Sequence, residues 1–178
     1  MPHAAQPESD RAYFTTQCLN TFATRHRSRI CINWTGLKFY PLLTGRIIVP
    51  EAVVAELAAG QAAGCDVPDV RGLRWVAVRQ PVSASALPLA ADLGPGESAV
   101  LALALESPEA VVILDDGAGR RAAELLGLRL TGTLGLLLDA RRRGLIAKVS
   151  PLLDDLDRLR FRVSPTTRAA VLKLARES

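Results

Sequence analysis

Histidine is nearly absent from this chain. Its two histidines, His3 and His26, both lie in the first 26 residues, so the rest cannot supply a paired-imidazole acid–base system. Cysteine is equally sparse. Cys18, Cys31 and Cys65 are odd in number and lack metal-ligand spacing, which reads as reduced thiols in a cytoplasmic protein. No apolar run approaches the ~20 residues needed to span a bilayer. The polar start MPHAAQPESDRAYF has no signal-peptide core, so a cytoplasmic location away from membranes is expected. Phosphate-binding glycine motifs are missing too. GPGES (94–98) has no P-loop lysine, and GAG (117–119) lacks dinucleotide spacing, which argues against those cofactors. There is no internal repeat and no low-complexity tract.

What is present is enough for a core. Hydrophobic residues are 49% of 178, which excludes intrinsic disorder as the general state and suits one domain. The net charge of +4 hints at nucleic acid, but its location matters. Residues 1–49 hold six basic residues (Arg11, Arg25, Arg27, Arg29, Lys38, Arg46) against Glu8 and Asp10, and the remaining charges cancel. The same segment carries most of the aromatics: Tyr13, Phe14, Phe22, Trp34, Phe39 and Tyr40. From about residue 41 the chain turns rich in Ala, Leu, Gly and Arg. This break predicts an atypical segment over 1–36, disordered or of different origin, followed by a folded domain over 37–178.

Along the domain, strand and helix signals alternate. Strands are predicted at GRIIVP (45–50), LRWVAVRQP (73–81), AVVIL (110–114) and LRLTGT (128–133), the last with its turn. Helices are predicted over 51–64, 97–107, 117–127 and 134–144, ended by Gly64, Gly127 or Gly144 in three cases. Ser150-Pro151 and Ser164-Pro165 each read as an N-cap with proline at the first helical position, opening helices over 151–159 and 165–176. Residues 64–72 read as a loop and 82–96 as a linker or short helical stretch. Continuous apolar strands between helices imply an α/β sandwich with a mainly parallel sheet.

Four acids are placed to matter. Glu56 lies in the helix-like run VPEAVVAEL, Glu97 opens a helix after Gly-Pro-Gly, and Asp115 and Asp116 close AVVIL. Acids at strand ends and helix starts converge at the carboxyl edge of a parallel sheet. Carboxylates without histidine suit Mg²⁺ or Mn²⁺. Each acid also has a plainer reading. Asp116 suits an N-cap, Glu97 a first-turn acid stabilised by the helix dipole, and Glu56 a solvated helix position. Arg120 and Arg121, beside the acidic pair, are candidate RNA contacts. The runs RHRSR (25–29) and Arg141–Arg143 more often mark solvated surface or a dipole-matched helix end.

Taken in order, GRIIVPEAVVAEL (45–57), LGPGESAVLALALE (93–106), VILDDGAGRRAAELLGLRLTGTLGLLLDARRRGLI (112–146) and LLDDL with FRVSP (152–165) resemble the PIN-domain family, in the branch of VapC-type toxin ribonucleases encoded beside short antitoxin-like proteins. The resemblance implies a PIN-like three-layer α/β sandwich with a mainly parallel sheet, and a Mg²⁺- or Mn²⁺-dependent endoribonuclease. It implies RNA as substrate, a short antitoxin-like partner and a homodimer. Glu56, Glu97 and Asp116 match the family's metal-binding acids, Asp115 is the neighbour in its Asp-Asp pair, and Thr131 and Thr133 match its Thr-Gly-Thr turn. The family also opens with a strand ending in an aspartate. Counting back from GRIIVP places that residue near Thr24, yet no acid lies between Asp10 and Glu51. The first strand and its ligand are therefore missing or displaced. The alternative implied by this departure is an inactive PIN-fold module that binds RNA or an antitoxin-like protein.

Overall fold

The computed structural model describes residues 13–15, 40–64, 69–82, 93–107, 109–158 and 161–177. The strands are β1 (Tyr13–Thr15), β2 (Ile47–Pro50), β3 (Val76–Arg79), β4 (Val111–Ile113) and β5 (Arg129–Thr131). The helices are α1 (Tyr40–Thr44), α2 (Glu51–Ala62), α3 (Pro95–Leu105), α4 (Gly117–Leu125), α5 (Thr133–Arg142), α6 (Ser150–Arg158) and α7 (Pro165–Ala175), with a 3₁₀ turn at Val70–Gly72.

The strands form one sheet in the order β3-β2-β1-β4-β5, and every pairing is parallel. The sequence dictates this arrangement. β2 is buried at all four positions, and Val112 and Ile113 of β4 are buried as well, so these strands need cover on both faces. The cover is helical. α3 lies over β1, β2 and β4, α2 packs on α3, β2 and β3, and α4 packs on β5. α5 packs against α7 and α1. This is an α/β fold around a parallel sheet.

Apolar residues occur all round α3, and accordingly Val100, Leu101, Leu103 and Ala104 are all buried. α6 is two-sided: Leu153 and Leu156 point inward while Asp154, Asp155 and Asp157 stay in solvent. Leu101, Leu114, Leu136 and Leu153 are fully buried, each stabilising the fold by roughly 2–3 kcal/mol relative to exposure.

Two differences from the sequence expectations stand out. The sheet does possess a first strand. It lies at Tyr13–Thr15, well upstream of Thr24, and sits centrally between β2 and β4. Tyr-Phe-Thr is a strong strand former, and without it β2 and β4 would each present an unpaired edge. The other expectations for 1–36, and for the linker at 83–92, lie outside the described residues. The second difference is α1, a short helix that the sequence did not signal. It is held by its packing: Leu43 is buried, and Arg143 donates to the Leu43 carbonyl at 3.5 Å.

Candidate functional site

Strand order reverses beside β1. The carboxyl edge between β1 and β4 is therefore the switch point of the sheet, where open α/β sheets bind ligands. β4 delivers Leu114, Asp115 and Asp116 to this edge. Glu97 enters from the first turn of α3 and Glu56 from the second turn of α2.

Glu97 is the central group, 8% exposed. Its Oε2 accepts from the Gly94 amide at 3.2 Å, the return half of a capping box. Its Oε1 is buried without a hydrogen-bond partner. That oxygen faces α4, where a Cβ added to Gly119 would stand 3.2 Å from it. Burial pushes the Glu97 carboxyl above the usual glutamate range. The Gly94 amide opposes the shift, and the charges of Asp116 and Glu56 reinforce it.

Glu56 and Asp116 flank it. Glu56 Oε1 accepts from the Gly96 amide at 3.0 Å, joining α2 to the start of α3. Burial raises the Glu56 carboxyl as well, against the pull of that amide. Asp116 is the N-cap of α4, and its Oδ2 accepts from the amides of Ala118 at 2.7 Å and Gly119 at 3.2 Å. The N-cap reading of Asp116 is thus met. Capping fixes the carboxylate beside Glu97.

Asp115 turns the other way. Its Oδ1 accepts from the Thr133 amide at 2.8 Å and its Oδ2 from the Thr133 hydroxyl. It caps α5 from the end of the neighbouring strand β4, because the N-cap residue Gly132 has no side chain to do so. A Cβ on Gly132 would lie 2.7 Å from Asp115 Oδ1, so the close approach requires glycine. Thr133 is 1% exposed and engaged by Asp115. Thr131 is half-buried and lines a separate groove beyond Asp115. Arg120 borders the same groove and donates to the Leu114 carbonyl at 2.9 Å, whereas Arg121 is exposed on α4.

The structure therefore groups Glu56, Glu97 and Asp116 and separates Asp115, Thr131 and Thr133 from them. Among the described residues, no three His, Cys, Asp or Glu side chains are gathered so as to hold a metal ion. The donor chemistry still fits a hard divalent cation, with three carboxylates and one buried oxygen lacking a partner. As they stand, Glu56 and Asp116 are engaged with backbone amides. The sequence directly after β1, Thr16-Gln17-Cys18, carries no acid.

A parallel sheet in the order 3-2-1-4-5 with acids at its switch point defines an α/β architecture with a candidate site at its strand ends. The profile of the PIN-domain family matches residues 33–177, and the chain belongs to that family, which has a nuclease-type fold. No curated protein and no solved structure matches the chain. Among the described residues, no helix is long and apolar enough to cross a membrane.

Sequence reasoning missed the far wall of the groove beyond Asp115, made by Phe161, Arg162, Ser164 and Thr167. Ser164 signalled only a helix start, and nothing local indicated that this turn would return to β5.

Proposed function

We propose that this chain is a Mg²⁺- or Mn²⁺-dependent endoribonuclease, the toxin component of a pair with a short antitoxin-like protein. The observation that carries this reading is the buried, unpartnered Glu97 oxygen between Glu56 and Asp116 at the sheet's switch point. A buried acid repelled by two neighbouring acids is costly to ionise, and a divalent cation would offset that cost.

Glu97 and Asp116 would hold the ion, with Glu56 as the third carboxylate. When bound, such an ion supplies a more acidic water and offsets charge developing on the phosphate. The protein's part is positional. The Gly94 amide orients Glu97, the α4 amides orient Asp116, and the Asp115–Thr133 clamp holds the end of β4 against α5. Exposed Leu42, Leu125 and Leu174 offer apolar contacts to an antitoxin-like helix or a second copy of the chain.

A second reading, an inactive PIN-fold module that binds RNA or such a partner, is favoured by the absence of an acid in Thr16-Gln17-Cys18. RNA cleavage by the full chain with Mn²⁺ or Mg²⁺ separates the two. Cleavage that stops with chelator and in Asp116→Asn and Glu97→Gln supports the nuclease. A folded protein with no activity over background supports the module.

A further inference from the structure

The groove on the far side of Asp115 has a volume of about 480 Å³ and belongs to neither the three-acid cluster nor the apolar core. One wall is the end of β5 and the start of α5, with Thr131, Leu130 and Leu134. The other is the α6–α7 turn, with Phe161, Arg162 and Ser164. Arg120 closes the side next to α4.

We propose that this groove binds one nucleotide of single-stranded RNA, with the base on Phe161 and the phosphate between Arg120 and Arg162. The inference rests on the nuclease reading for its direction, since Asp115 lines the groove and is covalently next to Asp116. The chemistry is specific. Arg162 is exposed and forms no hydrogen bond or ion pair among the described residues. Arg120 has one nitrogen on the Leu114 carbonyl, which aims the guanidinium and leaves its other donors for a ligand. Two arginines over a groove with an aromatic and leucines on its walls match a phosphate joined to a flat base. Asp115 also borders the groove, but the Thr133 amide and hydroxyl engage its two oxygens, which blunts its repulsion of an anion.

The far wall is built to hold its shape. The Phe161 amide donates to the Leu156 carbonyl at 2.9 Å, closing the end of α6. Ser164 caps α7 by accepting from the Thr167 amide at 3.0 Å, and its hydroxyl meets that of Thr167 at 2.7 Å. Arg168 ties α7 to α6 through Asp157 at 3.0 Å and through Asp154. A wall fixed at both ends presents Phe161 and Arg162 with little ordering left to do on binding.

Fluorescence anisotropy with a labelled octauridylate, in chelator so that no cleavage intervenes, tests the inference. Arg162→Ala is expected to weaken binding by on the order of fivefold and to lower the salt slope by about 0.7, the loss of one phosphate contact on a single strand. Phe161→Leu, which keeps an apolar side chain there, is expected to weaken binding by about fivefold with the salt slope unchanged. Arg74→Ala removes the same charge at the opposite, amino end of the strands and is expected to change neither quantity beyond its share of net charge. Equal losses in Arg162→Ala and Arg74→Ala, or no octauridylate binding by the parent chain, overturn the groove. Binding that depends on Arg162 and Phe161 in a chain that never cleaves RNA leaves the groove standing while the nuclease reading falls. Cleavage with Arg162-independent binding does the reverse.

Discussion

Two glutamates with little-exposed side chains have opposite fates in this molecule. Glu97, at the carboxyl edge of the sheet, has an oxygen without a partner and a carboxyl raised by burial and like charge. Glu177, in the helical end, has a side chain only 7% exposed, but its oxygens accept from the amides of Val149 at 2.6 Å and Ser150 at 3.0 Å. Its Oε1 also lies 3.6 Å from Arg141 Nε. Burial there works against ionisation, but the amides of Val149 and Ser150, the Ser150 hydroxyl and Arg141 outweigh it and hold the carboxyl below the usual range. Glu177 thereby caps α6 from elsewhere in the chain. The lesson is that a buried acid matched by donors, as Glu177 is by two amides, is explained by the fold, whereas Glu97 keeps an oxygen short of a donor and calls for a further explanation.

The largest effect expected from this contrast is on catalysis. Asp116→Asn keeps the cap on α4 through its remaining carbonyl oxygen but halves the charge facing Glu97. RNA cleavage in Mn²⁺ should fall about 10²-fold or more, with far-ultraviolet circular dichroism unchanged. A folded Asp116→Asn chain that cleaves at the parent rate removes Asp116 from the site. Glu177→Gln should do the opposite, leaving cleavage per folded molecule intact while destabilising the fold.

That destabilisation is the next largest effect. Replacing Glu177 by Gln removes an ionic acceptor from two amides and the opposite charge from beside Arg141, at a cost of about 1–3 kcal/mol in urea unfolding at neutral pH. The pH dependence follows from the sign of the shift. A depressed carboxyl contributes stability that is fully present above its unfolded pKa and is lost as pH falls through its folded pKa. The parent should therefore lose stability on the acid side more steeply than Glu177→Gln. Parallel acid limbs for the two chains would dismiss Glu177 as a stabilising charge.

The same contrast explains what the sequence could and could not say. Continuous apolar runs such as Val-Val-Ile-Leu at 111–114 announced buried strands, and Ser-Pro pairs and terminal glycines placed helix ends within a residue or two. These are local signals, set by side-chain period and backbone freedom. Grouping Glu56, Glu97 and Asp116 needed only the general rule that acids at strand ends meet at the switch point. Asp115 shows the limit. Side by side in sequence, it and Asp116 look equivalent, yet successive residues leaving a strand point apart, so one faces Glu97 and the other Thr133. The first strand was expected to be missing or displaced from near Thr24, and its actual place at Tyr13–Thr15 was not legible because register in a parallel sheet is fixed by distant partners, here Ile47 and Val111 opposite Tyr13.

A mid-sized effect tests the Asp115 assignment. Thr133→Val keeps the shape of a buried side chain but removes the hydroxyl donor to Asp115. It should cost about 1–2 kcal/mol of stability, with cleavage per folded molecule unchanged within about twofold. A loss of activity without loss of stability would instead return Asp115 and Thr133 to the site.

The smallest effect is the most discriminating, because its sign is unusual. Most substitutions of buried residues destabilise, but Glu97→Gln should stabilise the chain in the absence of divalent ions. A raised carboxyl costs the fold nothing below its unfolded pKa and exerts its full penalty above its folded pKa, so the penalty is present on the alkaline side. Glutamine occupies nearly the same volume and keeps an oxygen for the Gly94 amide. It also ends the repulsion from Asp116 and Glu56. In chelator, the Tm of Glu97→Gln should exceed that of the parent on the alkaline side, and the difference should vanish as the pH is lowered through the titration of Glu97. Adding Mn²⁺ should raise the parent's Tm and leave that of Glu97→Gln nearly unmoved, so the order of the two chains reverses with the ion. If Glu97→Gln is instead less stable under every condition, Glu97 is a structural cap like Glu177, and the unpartnered oxygen carries no function.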